Sequence, residues 1–467
     1  MNIAGSVSVL TEKEITQIHN AMLSILSEVG VIIEDPTILQ RLADHGAIVH
    51  MNDMKAFFTP TWVECFIAES DKFNWSTVKP MVTASANIYQ GVFLDPETNE
   101  FLPWTEKRMA DYVKLTHHLE HVEYNAMLGC PLPEINKKLI PLIQRQICWR
   151  HGMRPGGSIW DIRFAPYLLQ MCEIMAEVNH SNVKDFFTGM VFFTSALKLA
   201  KNEAEQFVFF AEKGFLVKIC SMTSAGGSAP ITLAGAVTMH LAEVMIAQFI
   251  YRAFYGNKNL ELVSTIAPYD MRTLMFAYGR PERQIMNIMM ADIAKRYQVP
   301  CHGHGGHTDA KKPSPEVGYQ RALTTIPTLM ACGITYIGAG KLSMDEVGSP
   351  IQMILDNEFI GALKRFANGC IINSDTIALD VIKETGPDGI FLGHPHTAEH
   401  FRTELWEPTI WTREMFEGWK INDGRTDIEK AYELYKDIMN RPDLPPSITE
   451  ETDRYLQQVI DKAEKVF

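Results

Sequence analysis

The chain has 467 residues, a net charge of −13, 46% hydrophobic residues and 21% charged residues. That is enough apolar material for a large core, and the length fits an elaborated barrel as well as two smaller domains. The acidic balance excludes a nucleic-acid surface, because phosphate binding needs clustered Lys and Arg.

In chain order, the first ten residues lack a basic region followed by an apolar stretch, so no secretory signal is expected. Thr11 ahead of Glu14 is a capping-box pattern, and Ile15, Ile18, Met22, Ile25 and Leu26 recur on one face, which predicts a helix over 11–29. Shorter helical stretches follow. Residues 73–102 read as hairpins, with turn signals at Asp95-Pro96 and Thr98-Asn99. Residues 1–104 are therefore expected to form an α+β cap.

Beyond residue 105, strands are expected at 122–129, 155–160, 186–193, 216–222, 260–267, 299–303 and 334–340. They alternate with amphipathic helices such as 203–213, 280–297 and 351–366. This alternation implies right-handed crossovers and a parallel sheet. Seven units are visible and the eighth is not. The reading is an α/β fold, a closed (β/α)8 TIM-type barrel over 105–420, with an open doubly wound sheet as the alternative. The apolar stretch 231–255 is interrupted by His240, Glu243, Gln248 and Arg252, so it reads as a buried helix and not a membrane span. A helical extension fills 421–467; its last helix, 448–466, can pack on its own barrel or on a neighbour. The eight cysteines are scattered without a CxxC pair, which suits reduced thiols and a cytoplasmic enzyme.

In a parallel barrel the C-terminal strand ends line the active-site mouth. Here they carry Trp160-Asp161, Phe192-Phe193, Tyr269-Asp270, the run Cys301-His-Gly-His-Gly-Gly-His-Thr-Asp309, and Lys341 after Gly338-Ala339-Gly340. His302, His304 and His307 could ligate zinc, which takes three protein ligands and an open position when catalytic. The glycines among them suit a loop whose backbone approaches a ligand closely. His394 and His396 could bind an anion, or form a turn in which both rings bond carbonyls. The faces of Trp160, Phe193 and Tyr269 could attract a quaternary ammonium ion, at roughly 0.5–2 kcal/mol per ring, or be plain core. Lys341 could pair with a carboxylate, or be a solvated lysine. No GxSxG elbow is present.

Four segments make the chain resemble the trimethylamine methyltransferase family: Gly279-Arg-Pro-Glu282, Pro300-Cys-His-Gly-His-Gly-Gly-His-Thr-Asp-Ala-Lys311, Gly318-Tyr-Gln-Arg-Ala322 and 391–402. The resemblance spans Thr11 to about Trp419. It implies a (β/α) barrel that demethylates methylamines or betaines and methylates cob(I)alamin carried by a separate corrinoid protein. The trimethylamine enzymes hold pyrrolysine at the barrel mouth, whereas this chain has only the standard twenty residues. It therefore resembles the branch without pyrrolysine, whose substrates are quaternary amines such as glycine betaine.

A quaternary ammonium leaves as a neutral tertiary amine, so neither pyrrolysine nor a general acid is needed, and the protein mainly positions the methyl group and excludes water. The resemblance thus points to Trp160, Phe193, Tyr269 and Asp270 for the ammonium end. His302, His304, His307 and Lys341 are the candidates for the carboxylate end, with His394 and His396 as further candidates. The chain has no DxHxxG corrinoid signature, since Asp44-His45-Gly46 is too short. The expectation is that it binds no cofactor itself and that a partner corrinoid protein docks at the barrel mouth. Self-association is expected; nucleic acid and membrane are not. Two other readings stay open: a zinc-dependent barrel hydrolase or methyltransferase, and a non-catalytic betaine-binding protein.

Overall fold

The structure is a computed structural model that describes residues 3–88, 91–126, 136–194 and 196–466. The N-terminal helix starts at the expected cap: the Glu14 amide donates to the Thr11 hydroxyl and the Thr11 amide to the Glu14 carboxylate. Helix Glu12–Ser24 then continues into the π-helical turn Ile25–Val29, with Ile15, Ile18, Met22 and Leu26 buried. Strands Ile48–His50, Lys55–Phe57 and Val31–Ile33 pair antiparallel beside it. A fourth strand, Lys198–Leu199, joins in parallel from far along the chain and ties this sheet to the body.

Five strands form a parallel ladder in the order Leu262–Ser264, Cys301–His304, Gly333–Gly338, Met81–Ala86, Tyr124–Asn125. Val217–Cys220 and Gly189–Phe192 make a second parallel pair. Helices Leu233–Tyr255, Pro281–Tyr297, Pro315–Cys332 and Pro350–Asn368 lie between and after these strands, and their buried residues join the strands in the two large cores. The α/β alternation is as expected.

The closed eight-stranded barrel is not present as one continuous ladder among the described residues. At the 155–160 position the chain forms bends instead of a strand. Pro155 lacks an amide to donate, and Gly156 and Gly157 weaken extended pairing. What remains there is a parallel bridge between Ala126 and Arg154 and one bond from the Met190 amide to the Gly157 carbonyl, 3.0 Å. On the other side, Val217–Cys220 does not pair with Leu262–Ser264. The contact is carried by the Thr265 hydroxyl on the Ser221 carbonyl and by the short pair Ser224–Ala225 with Ala267–Pro268. The last part of the strand expected at 122–129, residues 127–129, lies outside the described residues.

A second difference concerns 73–102. Only Val92–Leu94 and Phe101–Pro103 form a hairpin, around a turn in which Asp95 caps the Glu97 and Thr98 amides. Met81–Ala86 is instead a parallel strand lying between Gly333–Gly338 and Tyr124–Asn125. It was hidden because one face carries Thr83 and Ser85, a polar alternation that reads as an edge hairpin.

Two further helices pack on the body, one as the sequence reading expected and one in a position that it left open. Leu233–Tyr255 is, among the described residues, the one helix long and apolar enough to cross a membrane, and 78% of that apolar window is buried inside the protein. The C-terminal helix Glu450–Glu464 packs on its own chain through Leu456, Val459 and Ile460, and its Asp453 pairs with Arg150 at 3.0 Å.

Candidate active site

The end of strand Cys301–His304 and the loop after Gly333–Gly338 bring a chain of polar side chains together. Arg283 donates from Nη2 to His304 Nδ1 at 2.8 Å. A guanidinium cannot accept, so Nδ1 must be the bare nitrogen and the His304 proton sits on Nε2. That Nε2 lies 3.3 Å from His307 Nε2, which then accepts, leaving the His307 proton on Nδ1. His307 Nδ1 is 3.3 Å from Asp345 Oδ1, and the other carboxylate oxygen receives Lys341 Nζ at 2.9 Å. One direction of donation thus satisfies every link with both imidazoles neutral.

The electrostatics agree with that assignment. Burial, then the neighbouring imidazole of His307, drives the His304 pKa well below its ordinary value. Burial lowers His307 to about 4, against the pull of Asp345. Burial would raise the Asp345 carboxyl, but Lys341 and His307 outweigh it and hold it ionised. Burial would likewise lower Lys341, and Asp345 reverses the sign.

Local backbone sets these positions. His304 pairs in register with Tyr336, and their rings stack at 5.7 Å and 12°. The Ser85 hydroxyl and the Tyr336 phenol bond at 2.7 Å, which draws in strand Met81–Ala86. Ser343, Met344 and Asp345 are three successive non-glycine residues with φ of 51°, 56° and 75°. Such left-handed backbone costs roughly 1–2 kcal/mol per residue. It is held by the Ser343 and Met344 amides on the carbonyls of Ala310 and Thr308, and it aims Asp345 at Lys341 and His307.

The glycines of the histidine run have a different cause from the one expected. A Cβ on Gly303 would lie 2.2 Å from Thr328 Cγ2, one on Gly305 2.6 Å from the Thr324 carbonyl, and one on Gly306 2.9 Å from Ile337. They admit helix Pro315–Cys332 and the neighbouring strand. Arg321 on that helix is fully buried. It bonds the carbonyls of Gly306, Gly338 and Lys341 and pairs with Asp356 at 2.7 Å, joining both loops of the site.

The sequence-predicted residues fall into three groups. His304, His307 and Lys341 converge as described. Lys341 is buried against Asp345 and not solvated. His302, two residues earlier, turns to Glu261 at 3.0 Å and does not join His304 and His307. Among the described residues no group of three or more His, Cys, Asp and Glu side chains is placed to hold a metal ion.

Trp160, Phe193, Tyr269 and Asp270 lie on neighbouring connections. Trp160 is partly exposed with φ of 64°, and Phe193 packs partly buried on the larger core. Tyr269 meets Phe276 edge-on. Asp270 caps the Arg272 and Thr273 amides and pairs with Arg280; the Arg272 amide first, then Arg280, hold its pKa to about 2. His394 and His396 sit at the start of helix Pro395–Glu404, where His394 Nδ1 caps the His396 amide at 3.1 Å and the His396 ring meets His400. This is a turn, but not the expected one with both rings on carbonyls: the His394 ring accepts from an amide, and His396 Nε2 has no hydrogen-bond partner among the described residues. His45, in the truncated corrinoid-like triplet, caps a helix end through the Arg41 carbonyl at 2.8 Å.

Sequence reasoning missed Arg283, Tyr278, Tyr336 and Asp345. Arg283 is fully buried beneath the site, with its guanidinium 4.3 Å from the Tyr278 ring centre. Its Nε and Nη1 find no hydrogen-bond partner among the described residues. A signal was present: Arg283 stands in the first turn of helix Pro281–Tyr297, where a cation opposes the helix dipole. Such breaks with a local rule are expected at functional or strained positions.

Comparison with known proteins places the chain. The family model for trimethylamine methyltransferase (MTTB) matches residues 1–467. The trimethylamine methyltransferase MttB of Methanosarcina barkeri is 23% identical over 490 aligned residues, covering 99% of this chain and 96% of that protein. A glycine betaine methyltransferase of Desulfitobacterium hafniense (strain Y51) is 30% identical over 256 residues, 54% of this chain and 52% of that protein. Among solved structures, the Methanosarcina barkeri monomethylamine methyltransferase (MtmB) aligns at a TM-score of 0.49 with 10% identity, over 100% of this chain and 90% of that one. The full-length family match shows that this chain is a methyltransferase belonging to the trimethylamine methyltransferase (MTTB) family.

Proposed function

We propose that this enzyme removes a methyl group from a quaternary amine that also bears a carboxylate, a betaine, and passes it to the cob(I)alamin of a separate corrinoid protein. The observation that carries the reading is Arg283, a fully buried guanidinium with two donors unpaired. A buried cation without a carboxylate is costly, and the nearby acids are engaged elsewhere. Asp345 holds Lys341 and His307, and Asp309 holds the Tyr278 and Gly279 amides at 2.9 Å each. A substrate carboxylate would give Arg283 the charge-assisted partner that it lacks. The half-length similarity to a glycine betaine methyltransferase supports the same substrate class, and so does a sequence limited to the twenty standard residues.

In this reading Trp160, Phe193 and Tyr269 offer ring faces to the ammonium. The partner's corrinoid supplies the nucleophile. The N–CH3 bond breaks with its electron pair going to nitrogen, so a neutral tertiary amine departs and no proton donor is required. His304 and His307, both neutral, hold Arg283 and Asp345 in place and do not act as acids. The two parallel ladders would be segments of one barrel whose strand ends surround the substrate. Ile231, Met271 and Leu274, exposed near those ends, would meet the partner, and the reaction would run in the cytoplasm.

The test is methylation of cob(I)alamin, followed by its visible spectrum, with glycine betaine, longer betaines, tetramethylammonium and trimethylamine as donors. Methyl transfer is expected from a betaine and not from trimethylamine. In Arg283→Gln, with its fold checked by circular dichroism, kcat/KM for the betaine falls about 100-fold, as for loss of a charged hydrogen bond of ~2–3 kcal/mol. Turnover of tetramethylammonium is unchanged. Transfer from trimethylamine, or from none of the donors, would sink the reading.

A further inference from the structure

Glu243 and His240, both buried on helix Leu233–Tyr255, are ionisable groups that the transfer of a methyl group does not use. They stand at the seam where strand Val217–Cys220 does not pair with Leu262–Ser264, and they fill it with side-chain bonds. Glu243 Oε1 accepts from the Leu197 amide at 3.0 Å. Its Oε2 meets the hydroxyls of Ser221 and Thr223, the second at 3.0 Å. His240 donates from Nε2 to the Val263 carbonyl at 2.8 Å, so its bare Nδ1 accepts from Thr223 at 2.9 Å. One helix thereby ties down three connections.

Two of those connections lead to rings named for the ammonium. Leu197 lies in the turn after Phe193 and has φ of 53°, a left-handed conformation that its surroundings must hold. The Thr194 amide closes that turn on the Lys198 carbonyl at 3.1 Å, and the Phe193 amide bonds the Cys220 carbonyl at 3.0 Å. Across the seam, the Ala267 amide donates to the Thr223 carbonyl at 3.2 Å and the Tyr269 amide to the Ala225 carbonyl at 3.0 Å. A Cβ on Gly227 would lie 2.3 Å from the Tyr269 ring, so the loop after Thr223 backs that ring directly. Phe193 and Tyr269 both hang from backbone that Glu243 and His240 hold.

We propose that Glu243, working with His240, is a positioning residue for the ammonium end of the substrate, fixing Phe193 and Tyr269 at one spacing; the inference rests on the betaine reading of this site. The protons support a neutral network. Ser221 and Thr223 bring two hydroxyl protons to three acceptor contacts, two on Glu243 Oε2 and one on His240 Nδ1. A proton on the carboxyl supplies the third, and burial raises the Glu243 pKa in that direction. Burial also keeps His240 neutral, lowering its pKa to about 4. A buried network with every member bonded fixes one arrangement of the segments it joins. An apolar filler would pack the same seam but leave the Leu197 amide and the Val263 carbonyl without partners.

Steady-state methylation of free cob(I)alamin, with glycine betaine and tetramethylammonium as donors, tests this in wild type, Glu243→Leu and Glu243→Gln. In Glu243→Leu the KM for both donors is expected to rise about 10-fold with kcat within about twofold, because loosened rings weaken binding of the ammonium. Glu243→Gln offers the same neutral donor and acceptor pair and is expected to stay within about twofold of wild type in both constants. A merely structural role would lower the active fraction, so that kcat falls while KM stays. That pattern overturns the proposal, as does an unaltered KM in Glu243→Leu with full activity. Glu243→Gln as impaired as Glu243→Leu would make the carboxylate charge the feature that matters, and overturns it too. If Glu243→Leu fails to fold, Thr223→Val replaces it: a KM rise of about 3-fold or more is expected, and an unchanged KM decides against the proposal. A wild type inactive with both donors sinks the betaine reading and this proposal with it, whereas an active wild type with unmoved variants sinks this proposal alone.

Discussion

At the scale of single residues, the site is built from groups whose ordinary charge states have been set by burial. His307 is held neutral to about pH 4 by desolvation, while in the unfolded chain it titrates at its ordinary 6.5. Above pH 6.5 both forms are neutral and stability is unaffected. As pH falls from 6.5 toward 4, the unfolded chain takes up a proton that the folded chain refuses, so stability is lost, by about 3 kcal/mol over the window. Buried His240 adds a loss of the same sign over the same range. Asp345 contributes nothing there, because its unfolded value of 3.8 lies below the window. Urea-unfolding midpoints measured from pH 7 to 4.5 are therefore expected to fall for wild type and to fall less steeply for His307→Asn, by one proton. Equal slopes would mean that His307 is not a buried neutral imidazole. The run that supplies His304 and His307 was the most legible feature of the sequence. The direction of donation along it was not, because it is dictated by Arg283, which lies on helix Pro281–Tyr297 and meets the run only in the folded chain.

At the scale of elements, helix starts were readable because their causes are local. Thr11 with Glu14, and proline at the first turn of Pro281–Tyr297, Pro315–Cys332 and Pro350–Asn368, act within a few residues of sequence. Strand Met81–Ala86 was not readable, because its polar face is explained by Tyr336, on a strand some 250 residues later. The glycines 303, 305 and 306 were legible as special and were assigned the wrong neighbour, since sequence cannot say whether a helix or a ligand comes close. The element that answers this, helix Pro315–Cys332, also carries a test. Arg321 and Asp356 form an ion pair in which neither side chain is more than 2% exposed. Arg321→Met leaves Asp356 buried and unpaired and frees three loop carbonyls, so a loss of about 3–5 kcal/mol is expected from urea unfolding. Adding Asp356→Leu removes the lone charge and should restore part of that loss. A double variant no more stable than the single one would place the effect in the carbonyl bonds instead.

At the scale of the whole molecule, the exposed apolar side chains at the strand ends bear on how a methyl acceptor would be met. The loops at the strand ends expose Met271 at 59% and Leu274 at 70%, with Ile231 beside Met271 over Gly226. On the proposed function, a small apolar group by these strand ends suits a protein that docks, receives a methyl group and leaves, with fast exchange favoured by limited buried area. The surface and the chemistry can be separated by experiment, since free cob(I)alamin needs no docking loop whereas a corrinoid protein does. Met271→Glu with Leu274→Glu is expected to lower kcat/KM toward the corrinoid protein by 10-fold or more, on the order of 1.4 kcal/mol of lost encounter stability. Methylation of free cob(I)alamin by the same variant should match wild type, and its oligomeric state should be unchanged. A variant equally impaired toward both acceptors would put these residues against the substrate, and one unaffected toward both would place the docking surface elsewhere on the strand-end face.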